Sequence, residues 1–270
     1  PYPEAAEIVF LEIERVEKIF SSYLTDSPVS HLNETGFLNT NFEVTFLLEK
    51  AKEFYELTNG MFDVTVLPLS KVWKKCFMTK ALPDAQEIIK ILPLIGSDKI
   101  YIDHENRSIK FKRRGMGIDF GAIAKGYAVD AAVKELKRNG IDSAIIRAGG
   151  DIFCLGNKFD NPWKVGVQHP RKKNAIMTTL PLHDQAVSTV GDYQQFIEID
   201  ARRYHHIINP KTGYPVENEV VSVSVIAKDE TTADAVATCV FLLGKEQGME
   251  KFQKYPGVER IIVVTKNDLE

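Results

Sequence analysis

The chain has 270 residues and a formal net charge of −3 at pH 7, from 34 Lys and Arg against 37 Asp and Glu. Hydrophobic residues make up 44% and charged residues 26% of the chain, the ordinary balance of a globular protein with a large core. No bulk positive charge attracts nucleic acid, and no apolar run reaches the roughly 18 residues that span a bilayer. We therefore expect no nucleic-acid partner, and membrane association only through a removed or absent anchor.

The first predicted elements are helices separated by a loop. Apolar residues at helical spacing predict an amphipathic helix over residues 4–22, followed by a polar loop from Ser21 to Asn33. A second helix is predicted from about Glu43 and ends at the Asn59-Gly60 pair. The apolar stretch from Met61 to Leu69 is rich in β-formers and predicts a strand that Pro68 stops.

The middle of the chain mixes both element types. Pro83-Asp84 predicts the start of a short helix that ends near Gly96, and alternating apolar residues over 100–111 predict a hairpin. A helix is predicted from about Ala122 to Arg138. An apolar strand is predicted from Ile141 to Phe153, interrupted by Gly149-Gly150.

The last predicted elements are a half-buried strand over residues 163–167, a strand from Val220 to Ala227, a helix from Asp229 to Leu243 and a strand from Ile261 to Thr265. Strands and helices therefore mix without regular βαβ alternation, which predicts an α+β fold. No linker or repeat marks a boundary, so one domain over residues 1–270 is expected.

The most unusual segment is the small-residue run from Gly117 to Ala128, at the start of a predicted helix. Small residues let the backbone approach a ligand closely, and the free N–H groups of a new helix favour an anion such as phosphate. Lys125 adds a cation in the first helical turn. The alternative is structural, with Asp119 acting only as a helix cap.

A second segment places Asp234 and Thr238 one turn apart on one helical face. A carboxylate and a hydroxyl are hard oxygen ligands, which suits Mg²⁺ completed by water and substrate phosphates. The alternative is again structural, because Thr231 and Asp234 have the spacing of a capping box.

Two further segments carry aromatic or imidazole groups. His205 and His206 precede a tight Asn-Pro and Thr-Gly loop, and adjacent side chains on extended backbone point in different directions. They are therefore not expected to share a metal, and at most one is expected to be functional. Tyr23, in a polar loop, either stacks on a flat heterocycle or packs against a helix end.

Together and in this order, these segments resemble the FAD:protein FMN transferase family, also called the ApbE-like flavin transferases. The matching pieces cover about residues 20 to 245. They are Tyr23 in its Ser-rich loop, residues 62–66, 119–128 and 148–151, residues 187–189 with 191–193, residues 206–210 with 212–213, and residues 233–235 with Thr238.

The resemblance implies a compact α+β fold of mixed sheet and helix that binds FAD and Mg²⁺ between its lobes. It also implies transfer of FMN from FAD to a threonine hydroxyl of a target protein, with release of AMP. An extracytoplasmic location, in the periplasm or at the outer face of the cell membrane, is implied by the resemblance alone.

The resemblance also assigns residues. The metal site falls on the Ala122 carbonyl oxygen, the Asp234 carboxylate and the Thr238 hydroxyl. His206 and Asp234 are the candidates for activating the acceptor hydroxyl. The contacts to the flavin nucleotide fall on Tyr23, Met61, Phe62, Asp63, Asp119, Lys125 and Ile208.

The chain departs from the family pattern at two positions. Members usually carry a Met-Gly-Thr strand before the first long helix, and none precedes Ala5, so part of the flavin pocket is expected to be missing. Some members have a second acid where this chain has Ala237, so a leaner metal shell is expected.

Two other functions remain open at this point. Water as the acceptor gives an FAD pyrophosphatase that yields FMN and AMP, and loss of chemistry gives a non-catalytic FAD-binding protein. A partner with an exposed Ser/Thr-Gly-Ala-Thr-like segment would distinguish the transferase from the hydrolase. Retention of Asp234, Thr238 and Lys125 argues against simple storage, which requires no phosphate-activating metal.

Overall fold

The computed structural model describes residues 3–39 and 42–269. The helices of this part of the chain are α1 (Pro3–Phe20), α2 (Pro28–Thr35), α3 (Phe42–Leu57), α4 (Leu67–Thr79), α5 (Ala85–Ile91), α6 (Ala124–Arg138), α7 (Glu230–Leu243) and α8 (Lys245–Phe252). Within the described residues, none of these helices combines the length and hydrophobicity needed to cross a bilayer.

The strands of the same residues are β1 (Phe37–Asn39), β2 (Ile100–Asp103), β3 (Ser108–Phe111), β4 (Ala144–Ala148), β5 (Asp151–Leu155), β6 (Trp163–Gln168), β7 (Ile176–Leu182), β8 (Gln185–Gly191), β9 (Phe196–Ile199), β10 (Arg202–His205), β11 (Val220–Ala227) and β12 (Val258–Thr265). The α+β class predicted from the sequence is confirmed. The contacts divide the chain into two compact units. The absence of a domain boundary remains a prediction.

The first unit comprises Pro1–Glu17, Ala122–Tyr193 and Glu219–Glu270. Its centre is a five-stranded antiparallel sheet in the order β12-β11-β8-β5-β4. Helix α7 packs on β8 and β11 and also on α6. Every residue of β11 is buried, and α7 is apolar on almost all sides, so both elements lie inside the unit.

The second unit comprises Lys18–Gly121 and Gln194–Asn218. It contains a three-stranded sheet in the order β1-β3-β2, the β9-β10 hairpin and helices α2 to α5. Trp73 of α4 is almost fully buried and donates its indole N–H to the Gly213 carbonyl oxygen at 2.8 Å. Its ring stacks on Tyr204 at a centroid distance of 5.8 Å, so α4 is joined to the β10 loop.

Two segments that contain a proline are helical where the sequence predicts a strand or a loop. Residues 64–66 form a 3₁₀ turn and α4 begins at Leu67, where a strand was predicted. Helix α2 begins at Pro28, inside the predicted polar loop, and Ser27 caps it by accepting the Ser30 N–H. Proline is favoured in the first turn of a helix because no intrahelical bond needs its missing N–H.

The predicted strand from Ile141 to Phe153 is two strands. Antiparallel β4 and β5 pair Ala148 with Asp151, and Gly149 turns the chain with a φ of +68°. The predicted helices from Ala122 and Asp229 are confirmed as α6 and α7, as are the strand from Val220 to Ala227 and the hairpin over residues 100–111.

Helices α6 and α7 lie in close contact at Gly126. A Cβ atom added there would lie 2.3 Å from the backbone oxygen of Glu230, and backbone cannot turn away as a side chain can. Only glycine therefore fits at this crossing.

We predict that Gly126→Ala destabilises the protein by about 1–3 kcal/mol, because forced overpacking outweighs the better helix propensity of alanine. Urea unfolding measures the change. Lys134→Ala, at an exposed position of α6, is the control and should shift stability by less than about 0.5 kcal/mol. An equal effect of both substitutions would contradict the close approach.

Candidate functional site

Asp234 lies in the second turn of α7 and is 1% exposed. The Lys125 ammonium, in the first turn of α6, donates to both Asp234 carboxylate oxygens at 3.0 and 2.9 Å. The Gly126 N–H donates to Oδ2 of the same carboxylate at 3.3 Å. The start of α6 therefore holds an anionic side chain of the same unit, and the phosphate that the sequence predicts for this segment stays a prediction.

The electrostatics of this pair are set by burial and by neighbouring charges. Burial raises the pKa of the Asp234 carboxyl, Lys125 opposes that rise, and Asp151 adds to it. Half of the Lys125 side-chain surface is exposed, but its ammonium rests against two buried carboxylates. Desolvation lowers the pKa of Lys125, while Asp234 and Asp151 outweigh it and raise that pKa. The ammonium therefore stays charged across the physiological range.

Asp151 is a residue of this cluster to which the sequence assigns no role. It begins β5, is 2% exposed, and places Oδ2 3.0 Å from the Lys125 ammonium. The Ser188 hydroxyl donates to its Oδ1 at 2.5 Å. Asp151 closes the family-like segment 148–151, directly after the Gly149-Gly150 turn, but the segment indicates no role for its carboxylate.

Two more carboxyl groups lie nearby. Asp130 of α6 accepts from the N–H groups of Glu230 and Thr231, each at 2.8 Å, and from the Thr231 hydroxyl. Glu230 is fully buried, and neither of its carboxyl oxygens has a hydrogen-bond partner among the described residues. Burial, together with Asp151 and Asp234, raises its pKa well above the usual range, so the neutral acid is favoured.

The capping-box alternative for Asp234 is wrong. Asp229 caps α7 by accepting the Thr232 N–H at 2.8 Å, and the Thr231 hydroxyl bonds to Asp130 instead. Asp234 is therefore available for the ion pair rather than for the helix end.

The three predicted metal ligands lie in one compact unit. Asp234 and Thr238 are in the same helix, four residues apart as predicted, and Ala122 comes two residues before α6. Carboxylate, hydroxyl and carbonyl oxygens are the hard donors that Mg²⁺ takes, so the donor set fits the ion. Among residues 3–39 and 42–269, no group of three His, Cys, Asp or Glu side chains is arranged to hold a metal. A divalent ion would therefore depend on the neutral oxygens.

The other predicted flavin contacts lie in the second unit. Tyr23 is 68% exposed, and the Lys74 ammonium lies 4.4 Å from its ring centroid. Half-buried Asp119 accepts the Gly121 N–H at 2.9 Å, and its own N–H donates to the Val64 carbonyl oxygen. Burial raises the pKa of the Asp119 carboxyl.

Asp63 has a structural role that the sequence does not predict. Its Oδ1 accepts from the Thr65 N–H, the Thr65 hydroxyl and the Ser97 hydroxyl at 2.9, 2.8 and 2.7 Å. The carboxylate thus caps the 3₁₀ turn and joins it to residue 97. Next to it, Phe62 is 1% exposed and Met61 is half-buried.

The side chains of the two adjacent histidines lie in different environments, as expected for neighbouring residues on extended backbone. His205 is buried, and its Nε2 contacts the Val216 carbonyl oxygen at 3.0 Å while Nδ1 accepts the Ile207 N–H at 3.3 Å. A carbonyl can only accept, so Nε2 carries the proton, and both ring nitrogens are used in the fold.

His206 is half-buried, and its Nδ1 lies 3.3 Å from the Gln195 carbonyl oxygen. The same argument places the proton on Nδ1, so Nε2 is the basic nitrogen of the neutral ring. Ile208, two residues further, is 8% exposed and belongs to the apolar cluster around Trp73.

Known proteins resemble this chain over nearly its whole length. The sequence model of the ApbE family matches residues 2–262. An FAD:protein FMN transferase of Klebsiella pneumoniae is 31% identical over 98% of this chain and 83% of its own length. One of Treponema pallidum is 32% identical over 96% of this chain and 76% of its own length.

A solved structure gives the same result for the fold. The crystal structure of the ApbE protein of Thermotoga maritima superposes with a TM-score of 0.90, at 32% identity, over 99% of this chain and 88% of that one. The sequence and the fold thus agree, and the chain belongs to the ApbE family, as the order of its motifs predicts.

Proposed function

We propose that this chain transfers FMN from FAD to a threonine hydroxyl of a target protein and releases AMP. The observation that carries the proposal is the Lys125–Asp234 pair at the start of α6, in a chain that belongs to the ApbE family. Transfer of a phosphoryl group requires positive charge beside the phosphates, and this pair combines an ammonium with a carboxylate able to hold a cation.

Mg²⁺ is the cation that the donor oxygens suit. The Ala122 carbonyl oxygen, the Asp234 carboxylate and the Thr238 hydroxyl would hold it. When bound, it supplies positive charge that stabilises the phosphate oxygens as they become more negative. The Lys125 ammonium contacts both Asp234 oxygens, so a divalent ion at Asp234 would compete with it for them.

The remaining residues bind and orient FAD. The Lys125 ammonium favours the diphosphate. Tyr23 offers an exposed ring face for stacking, and Asp119 offers a half-buried carboxyl for a hydrogen bond. The backbone at residues 61–63 and Ile208 complete the set that the resemblance assigns.

His206 is proposed to remove the acceptor proton. The threonine oxygen forms a bond to the phosphorus of the FMN half, and the bond from that phosphorus to the AMP phosphate breaks. The threonine proton passes to His206 Nε2, which the contact between Nδ1 and the Gln195 carbonyl leaves as the basic nitrogen. The extracytoplasmic location implied by the resemblance is part of the same proposal.

We predict that Asp234→Ala abolishes Mg²⁺-dependent transfer and weakens FAD binding without eliminating it, because the charged ligand is lost. Thr238→Ala should be milder, since water replaces a neutral hydroxyl. Transfer to a peptide with a Ser/Thr-Gly-Ala-Thr segment, followed by mass spectrometry across a Mg²⁺ titration, gives the result.

The matched control for that prediction is Asp229→Ala, which removes the cap of the same helix. It should cost about 1 kcal/mol of stability and leave the Mg²⁺ dependence unchanged. Full Mg²⁺-dependent transfer by the Asp234→Ala variant would exclude the Asp234 carboxylate as a metal ligand. Release of free FMN and AMP with no labelled peptide would indicate the hydrolase instead.

We predict that His206→Ala slows single-turnover transfer by roughly 10²–10⁴-fold, the usual contribution of a general base, while FAD affinity and melting temperature change little. His205→Ala should instead lower the stability of the fold and leave the chemical step of transfer nearly unchanged. It removes two hydrogen bonds from a buried site and should cost about 1–3 kcal/mol of stability. Equal single-turnover rates for wild type and His206→Ala would rule out the base.

A further inference from the structure

Asp151 is held on two sides. Its Oδ1 accepts the hydroxyl of Ser188, which is fully buried in β8, and its Oδ2 faces the Lys125 ammonium at 3.0 Å. Strands β5 and β8 are neighbours in the sheet, with Ile152 opposite Val187. The carboxylate is therefore fixed by the centre of the sheet, and only one of its oxygens remains to hold a cation.

Lys125 is shared between two carboxylates that differ in role. Asp234 belongs to the proposed metal ligands, and a divalent ion there competes with the ammonium for the same oxygens. Asp151 is outside that set. When a divalent ion binds the Asp234 carboxylate, the Lys125 ammonium still has Asp151 as a buried partner and can stay in place.

We propose that Asp151 is a positioning residue for Lys125, keeping the ammonium at the start of α6, facing the FAD diphosphate, once Mg²⁺ occupies Asp234. The inference rests on the proposed function, since it assumes the phosphate role of Lys125. It concerns this chain's own ion pair, so it is measurable without turnover.

The negative charge of Asp151 has opposite effects on FAD binding, depending on whether Lys125 is present. A carboxylate near a diphosphate repels it, so Asp151 favours FAD only through the cation that it holds. Removing its charge should therefore weaken FAD binding when Lys125 is present. When Lys125 is absent, the same change should strengthen FAD binding or leave it unchanged.

The test is a double-mutant cycle of wild type, Asp151→Asn, Lys125→Met and the double variant. Asparagine keeps the shape of the side chain and an oxygen for the Ser188 hydroxyl. Dissociation constants for FAD and for riboflavin, which lacks phosphate, are measured with Mg²⁺ by flavin fluorescence.

We expect Lys125→Met to weaken FAD relative to riboflavin by about tenfold or more, the effect of one charge-assisted contact. Asp151→Asn should weaken it by roughly three- to tenfold in the presence of Lys125, and not at all in the Lys125→Met background. Equal weakening in both backgrounds, or strengthening in both, would overturn the positioning role.

Melting temperatures of the four proteins without flavin or metal separate this inference from the proposed function. If Asp151 holds the Lys125 ammonium, Asp151→Asn should lower the melting temperature less in the Lys125→Met background than in wild type. Additive shifts in melting temperature would show that Asp151 and Lys125 do not interact, which would overturn the inference. Non-additive shifts with unchanged FAD-to-riboflavin ratios in all four proteins would instead overturn the phosphate role of Lys125.

Ser188→Ala provides a second route if Asp151→Asn folds poorly. It leaves every charge in place and removes only the hydroxyl that fixes Asp151. We expect a loss of FAD preference in the same direction as for Asp151→Asn, but smaller. No change in that preference would contradict anchoring through the sheet.

Discussion

The first unit depends on one ammonium group placed between two buried carboxylates. Asp151 and Asp234 are 2% and 1% exposed, and each would be costly to bury as an unpaired charge. Lys125 compensates both, while half of its own side-chain surface faces solvent. The cation thus reaches the pair from the solvent side, where a substrate or a metal would also arrive. The ion pair therefore stabilises the unit, and its solvent-facing ammonium is the partner that a metal ion could replace at Asp234.

The local backbone makes this arrangement attainable. Gly126 lets α6 and α7 touch near their first turns, and Asp130 ties the two helices together by accepting the N–H groups of Glu230 and Thr231. Both helix starts therefore carry an acidic group against their free N–H groups, which favours negative charge there. Asp234 lies one turn into α7, so this junction fixes its distance from Lys125. A change at the crossing would move the site as well as the core.

Local signals explain which parts of this structure the sequence predicts. Asp234 and Thr238 share a helical face because the period of the helix is known once the cap and the apolar run are recognised. Two of the helices that the sequence analysis missed begin at Pro28 and at Leu67-Pro68, where a proline was interpreted as a stop although it suits a first turn equally well. The partnership of Asp151 with Lys125 follows from no local pattern. It requires β5, β8 and α6 to meet, and spacing within one segment carries no information about that meeting.

Glu230 shows how the remaining charge of this cluster is limited. Its two oxygens have no partner among the described residues, and burial favours its neutral form. With Glu230 neutral, Lys125 and the two carboxylates that its ammonium contacts, Asp151 and Asp234, together carry one surplus negative charge. A third ionised carboxylate would add repulsion that Lys125 alone does not offset. The modest surplus would favour the cation proposed at Asp234 without excluding the anionic diphosphate that Lys125 is proposed to bind. The neutral form of Glu230 therefore agrees with the proposal that this site accepts a cation and an anion together.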